Sequence, residues 1–136
     1  MALIALTTAD KVEVVASIEQ HTAPAAEAIV AGAPVRLDTT TAAFTNANGT
    51  NAAEARIYGI ATRSVQAGEA VTAIRKGVMD GFALGGQAYD LPIFLSDTDG
   101  RLGDVAGTVS TVVGRVIGGH AQPLGTAADK LLLVSL

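Results

Sequence analysis

The feature that most constrains this chain is a hydrophobic period of two, broken at short intervals by glycine and proline. Successive strand residues point to opposite faces of a sheet, so such runs mark half-buried strands. Val12-Glu13-Val14-Val15-Ala16-Ser17-Ile18 reads as the first strand, and Val35-Arg36-Leu37 follows the turn Ala31-Gly32-Ala33-Pro34. Arg56-Ile57-Tyr58-Gly59-Ile60-Ala61 comes next, then Ala70-Val71-Thr72-Ala73-Ile74-Arg75 after Ala67-Gly68-Glu69. Gly77-Val78-Met79 extends or re-aims that strand, with Gly77 as a bulge. The later strands are Leu91-Pro92-Ile93-Phe94-Leu95, residues 109–117, and residues 131–136. Pro92 has no N–H to give a ladder, so its strand lies at an edge or begins there. The fold expected is all-β, mainly antiparallel, and sandwich- or barrel-like.

Helix has little room in this pattern. Pro24-Ala25-Ala26-Glu27-Ala28-Ile29-Val30 has a proline start and a glycine stop at Gly32, and Asn51-Ala52-Ala53-Glu54-Ala55 has an asparagine cap. One or two short helices are expected there. The polar stretch of residues 39–51 reads as a long exposed loop.

The strands also repeat. Pro34-Val35-Arg36-Leu37-Asp38 matches Pro92-Ile93-Phe94-Leu95-Ser96, Tyr58-Gly59-Ile60-Ala61 matches Val113-Gly114-Arg115-Val116, and Val71-Thr72-Ala73-Ile74 matches Leu131-Leu132-Leu133-Val134. Three matches, each about 55–60 residues apart, suggest two similar β-units packed together, with chance resemblance of apolar triplets as the alternative.

Composition narrows the function. The 136 residues fit one domain with a real core, and 49% are hydrophobic, nearly all of them Ala, Val, Ile and Leu. No cysteine is present, which removes disulfides, thiolate metal sites and cysteine nucleophiles. A net charge of −4, with the basic residues scattered, argues against nucleic acid as a partner. The apolar start Met1-Ala2-Leu3-Ile4-Ala5-Leu6 is too short for a signal peptide or a membrane span. No membrane partner is expected, and the protein should be made in the cytosol.

Residue types that carry chemistry do not assemble into a motif. His21 and His120 sit in turn-like settings without neighbouring ligands. Asp97-Thr98-Asp99-Gly100 opens like a calcium loop, but Arg101 and Thr108 stand where further ligands belong, so a hairpin turn is the better reading. The glycines at 77, 81, 85 and 86 match no phosphate-binding pattern and read as sharp turns. Tyr58, Tyr89, Phe44, Phe82 and Phe94 show no grouping in sequence of the kind a sugar groove needs. The expectation is no enzyme, and no catalytic, cofactor or metal site.

From residue 31 onward the order of these elements resembles the head-decoration (capsid cement) proteins of tailed bacteriophages. The motifs are Ala31-Gly32-Ala33-Pro34-Val35-Arg36-Leu37, Tyr58-Gly59-Ile60-Ala61, Gly68-Glu69-Ala70-Val71, Gly77-Val78, Pro92-Ile93-Phe94-Leu95-Ser96-Asp97, Gly100-Arg101-Leu102 and Val113-Gly114-Arg115-Val116-Ile117. The resemblance implies a structural virion protein on the capsid exterior that stabilises the expanded head. Its partners would be the major capsid protein and two further copies, as a homotrimer at three-fold or quasi-three-fold positions. It also implies an extended N-terminal arm, residues 1–10, in front of a single β-rich domain, residues 11–136. Leu3, Ile4 and Leu6 are the arm's candidate capsid-binding residues, and the arm should add little to the fold of the body. Another virion component, such as a head-fibre base or tail-tube subunit, and a small ligand- or sugar-binding β-domain are the alternatives.

Overall fold

The computed structural model describes residues 3–4, 12–84, 86–118 and 130–136. Nine strands run through these residues: β1 (Glu13–Pro24), β2 (Pro34–Leu37), β3 (Phe44–Asn46), β4 (Ile57–Ala61), β5 (Ala70–Asp80), β6 (Pro92–Leu95), β7 (Leu102–Gly103), β8 (Val112–Gly118) and β9 (Lys130–Ser135). All pair antiparallel, in the order β3-β2-β4-β5-β9-β8-β6-β7, with β1 joined to β5 beside that path. The sheet curls into a half-barrel, so the all-β antiparallel expectation holds.

Neither expected helix forms. Over residues 24–30 the backbone N–H groups of Ala25, Ala26 and Ile29 donate instead to the carbonyls of Glu69, Phe44 and Val65, at 2.8, 2.8 and 3.0 Å. A two-turn helix is costly to nucleate, and pairing with distant strands wins over alanine's propensity. At residues 51–55 the cap is present, since Asn51 Oδ1 accepts the Glu54 N–H at 3.0 Å. Only one turn follows, because the chain enters β4 at Ile57.

The exposed loop expected over residues 39–51 is also corrected. Phe44, Ala47 and Asn48 are buried there, and residues 44–46 form edge strand β3. Gly77 is not a bulge. The extra residues are Val15 and Ile18 on β1 and Arg75 on β5, where the β1–β5 register shifts. Gly77 answers a different demand, since a Cβ there would lie well inside 3.0 Å of the Ala16 carbonyl oxygen. Pro92 is the first residue of β6, and its strand is interior, paired to both β7 and β8.

The two-unit expectation becomes a local two-fold relation. Val35 pairs with Gly59 and Arg36 with Ile57, a register shift lying between them; Ile93 pairs with Gly114 and Phe94 with Val112, with the same shift. Leu37 faces Phe44 as Leu95 faces Leu102. The turns match too: Gly32 N–H donates to the Ala61 carbonyl at 2.8 Å, and Asp90 N–H to that of Val116 at 2.7 Å. Gly32 and Asp90 both have positive φ, 84° and 66°, as do Ala42 and Gly100, 59° and 68°. One match must be shifted by a residue. Ala61 pairs with Ala73 and Val116 with Leu132, so Ala73 corresponds to Leu132. In a run of three leucines nothing in the sequence marks the phase. The units join where Lys76 pairs with Ser135, each standing as the other's counterpart.

Two buried clusters hold the sheet. Ile60, Ile74 and Met79 pack with Ile93, Leu95, Val113 and Leu132; Ala61, Val71 and Ala73 pack with Val35, Phe44 and Ile29. Adjacent residues Ile60 and Ala61 enter different clusters, as strand alternation requires. Ile4 belongs to the first cluster at 4% exposure, and its N–H donates to the Leu102 carbonyl at 2.9 Å. At Ile4 the structure therefore corrects the expectation of an N-terminal segment that adds little to the body.

Candidate functional site

The residues singled out in sequence are dispersed. Leu3 bridges to Gly103 and is 38% exposed, Ile4 is buried, and Leu6 lies outside the described residues, as does His120. His21 is not in a turn; it lies in the middle of β1, opposite Ala73. Its ring centroid sits 5.9 Å from those of both Phe44 and Tyr58, which are themselves 5.6 Å apart. The sheet thus groups aromatic residues that the sequence scatters over three strands. Phe44 is fully buried, and the Arg75 guanidinium lies over the Tyr58 ring at 5.3 Å. Burial takes up the Phe44 ring and the guanidinium covers a face of Tyr58, while His21 stays exposed beside them.

The acidic turn is built from the backbone upward. Ser96 N–H donates to the Arg101 carbonyl at 3.1 Å, Ser96 Oγ donates to the same carbonyl at 2.7 Å, and Gly100 takes the left-handed conformation that closes the turn. Its carboxylates face different partners. Asp97 Oδ1 accepts the Thr108 N–H at 2.8 Å and Oδ2 accepts the Thr108 hydroxyl at 2.8 Å, while Asp99 Oδ1 accepts from Asn48 Nδ2 at 3.0 Å. Among the described residues no group of three or more His, Asp or Glu side chains is placed to hold a metal ion.

The Thr108 N–H, and then its hydroxyl, favour the ionised form of Asp97 and hold its pKa below the usual carboxylate value. Asp38 is lowered in the same direction, first by the Thr41 N–H and then by that of Thr40. Groups whose folded pKa is depressed stabilise the fold above their unfolded pKa of about 4, and that contribution is lost as pH falls through the folded value. The melting temperature should therefore drop on acidification below about pH 4. Asp97→Asn should melt lower than the parent at pH 7, with the two converging in acid. Parallel melting curves with a constant gap down to the lowest pH would show that Asp97 does not couple to stability this way.

Two surface features remain. A cavity of about 430 Å³ opens between the turn at residues 28–33 and the turn at residues 99–102. Ile4, Val30, Phe82 and Leu102 supply apolar wall, and Asn46 and Arg101 supply polar atoms. Arg101 Nη2 donates to the Ile4 carbonyl at 3.3 Å, so this guanidinium serves the fold. The second feature is β1 itself. It pairs with β5 on one side and with no strand on the other among the described residues. Its bulge residues Val15 and Ile18 stand 56% and 78% exposed. Nothing in the residues marks this exposure beforehand, because Val14-Val15 and Ile18 look like ordinary half-buried strand residues, whereas residues 13 and 15–22 of β1 are exposed on both faces.

No family model matches the chain, and no curated protein matches it.

Proposed function

We propose that this chain is a structural virion protein without catalytic activity, which binds the outside of a tailed-bacteriophage capsid and stabilises the expanded head. Its partners in this reading are the major capsid protein and two further copies, in a homotrimer at three-fold or quasi-three-fold positions. The observation that carries the proposal is β1, a twelve-residue strand that among the described residues is paired on one side and shows two large aliphatic side chains to solvent. Such a surface suits contact more than chemistry: an open strand edge offers backbone hydrogen bonds to any extended partner, and repetition around a shell multiplies a modest affinity. The resemblance of its turn-and-strand motifs to those of head-decoration proteins is what suggests the capsid as the partner in that contact. The shell contact then falls to β1 and not to Ile4, whose side chain is committed to the body.

The test is co-sedimentation with expanded phage heads stripped of their own decoration protein. Wild type should bind at three-fold positions. Val15→Asp with Ile18→Asp should weaken binding about tenfold or more, since each buried aliphatic side chain is worth about 1.5–3 kcal/mol. Failure of the wild type to bind, or copies placed without relation to the three-fold axes, would overturn the assignment.

A further inference from the structure

Residues 47–49, just after β3, clamp the first unit to the second. The Ala47 carbonyl accepts the Gly100 N–H at 2.9 Å. Gly49 donates its N–H to the Ser96 carbonyl and accepts the Val109 N–H at its own carbonyl, both at 2.7 Å. Between them Asn48 is buried, and its Nδ2 donates to Asp99 Oδ1 at 3.0 Å. Its Oδ1 accepts the Thr50 N–H at 3.1 Å and the Thr50 hydroxyl at 2.6 Å. Both ends of the side-chain amide are held.

The clamp requires this pair of residues. Asparagine supplies a donor and an acceptor at one position, whereas an aspartate carboxylate would supply only the acceptor. At position 49 a Cβ would lie 3.1 Å from Asp97 Oδ1 and 3.3 Å from the Leu95 carbonyl oxygen, so any residue but glycine crowds there. The dipeptide that results is a chemically unstable one. Glycine has no side chain to hinder attack by its own backbone nitrogen on the amide before it. The matching stretch of the second unit is Ala106-Gly107-Thr108, which has no amide to react.

The reaction needs freedom that the clamp removes. The Gly49 nitrogen gives up its proton to solvent and attacks Asn48 Cγ. The N–Cγ bond forms, the Cγ–Nδ2 bond breaks, and the departing nitrogen takes a proton from solvent and leaves as ammonia. Water then opens the succinimide ring at either carbonyl, giving aspartate or isoaspartate. In the folded chain the Gly49 proton is held by Ser96, and the amide is fixed by Asp99 and Thr50.

We propose that Asn48-Gly49 is a latent self-modification site: the clamp keeps it silent, and opening the clamp exposes it to a deamidation that bars reclosure. The inference stands on this geometry and does not depend on the capsid reading. Aspartate at 48 loses the donor to Asp99 and sets two carboxylates face to face. Isoaspartate lengthens the backbone by one carbon between the Ala47 and Gly49 hydrogen bonds. A reversible opening thus becomes irreversible, as chemical change of an open state makes it.

Peptide mapping by mass spectrometry tests it, following conversion at Asn48 in the full chain in mildly alkaline buffer. Conversion of the native protein should be about a hundredfold or more slower than in guanidinium, because reaction through an opening scales with the open population. Asp99→Ala releases the amide and should speed native conversion about tenfold. Val71→Ala, which weakens the other buried cluster, should leave the rate near that of wild type. Asn48→Asp should lower the urea midpoint, and adding Asp99→Asn, which puts a donor back opposite the acceptor, should recover most of the loss. Equal conversion in native and guanidinium buffers overturns the proposal, as does an Asp99→Ala rate no higher than that of wild type or Val71→Ala. So does an Asn48→Asp protein as stable as wild type, since the product would then reclose. If Asp99→Ala loses its β-type circular dichroism, Asp99→Ser takes its place, and an unchanged rate there is equally decisive.

Discussion

Gly114→Ala should destabilise the protein by about 3 kcal/mol or more, the upper range for overpacking a rigid site. A Cβ at Gly114 would fall well inside 3.0 Å of the Leu133 carbonyl oxygen, with the Leu133 carbonyl carbon also within 3.0 Å. These are backbone atoms of the neighbouring strand, held by the β8–β9 ladder on one side and by β5 on the other. They cannot turn aside as the tip of a side chain can. Gly59 occupies the corresponding place in the first unit, where a Cβ would meet the Ile74 carbonyl oxygen and carbon in the same way. The two glycines are thus one structural requirement expressed twice. Gly86→Ala, where nothing lies within 4 Å of an added Cβ, is the control and should change little. Chemical denaturation of the three variants checks the ranking, and a Gly114→Ala protein as stable as wild type would show that β8 and β9 can separate freely.

Phe44→Ala should cost about 3–5 kcal/mol, the usual range for emptying a fully buried aromatic site. Phe44 is the largest side chain of its cluster, packed with Val35, Ile29 and Val71, and its ring meets those of His21 and Tyr58. Its backbone does further work: the carbonyl accepts from Ala26, and the residue pairs with Leu37. Leu102→Ala, at the corresponding place in the second unit, should cost about 2–5 kcal/mol. Phe94→Ala should cost less, because Phe94 is only partly buried. Urea unfolding midpoints give the comparison directly. Equal midpoints for Phe44→Ala and wild type would return residues 39–51 to the status of a surface loop.

That prediction concerns a residue whose role the sequence hides. Strands β2, β4, β5, β6, β8 and β9 are visible beforehand because their Val, Ile and Leu residues alternate over several positions between turn formers. β3 is three residues long, Phe44-Thr45-Asn46, and too short for a period to show. Its Thr45 hydroxyl is taken by Glu27, so a polar residue is buried there for a reason only the folded chain supplies. β7 is shorter still. The alanine-rich segment before Val30 favours helix by propensity, yet its N–H groups are claimed by carbonyls far along the chain. The same distance effect hides the grouping of His21, Phe44 and Tyr58. The repeat is legible because paired prolines and glycines mark its phase at Pro34 and Pro92 and at Gly59 and Gly114. The leucine run carries no such mark. The exposed bulges of β1 leave no trace in sequence, since a bulge is a property of the pairing between two strands.

Strand β5 has three neighbours: β1 along its length, β4 at Ala73 and Ile74, and β9 from Lys76 to Met79. This arrangement sets an order in time. Glu13 cannot find Asp80 until most of the first unit has emerged, and β9 comes last in the chain. Every closure on β5 except that of β4 joins residues far apart in sequence, so loop entropy must be overcome before those contacts stabilise anything. Folding should fall in the millisecond-to-second range typical of such topologies, about a thousandfold slower than a helical bundle of similar size. During synthesis, β1 to β5 can assemble first, leaving the second half of β5 as a waiting template. The second unit then completes against it, with Lys76 and Ser135 as the closing pair.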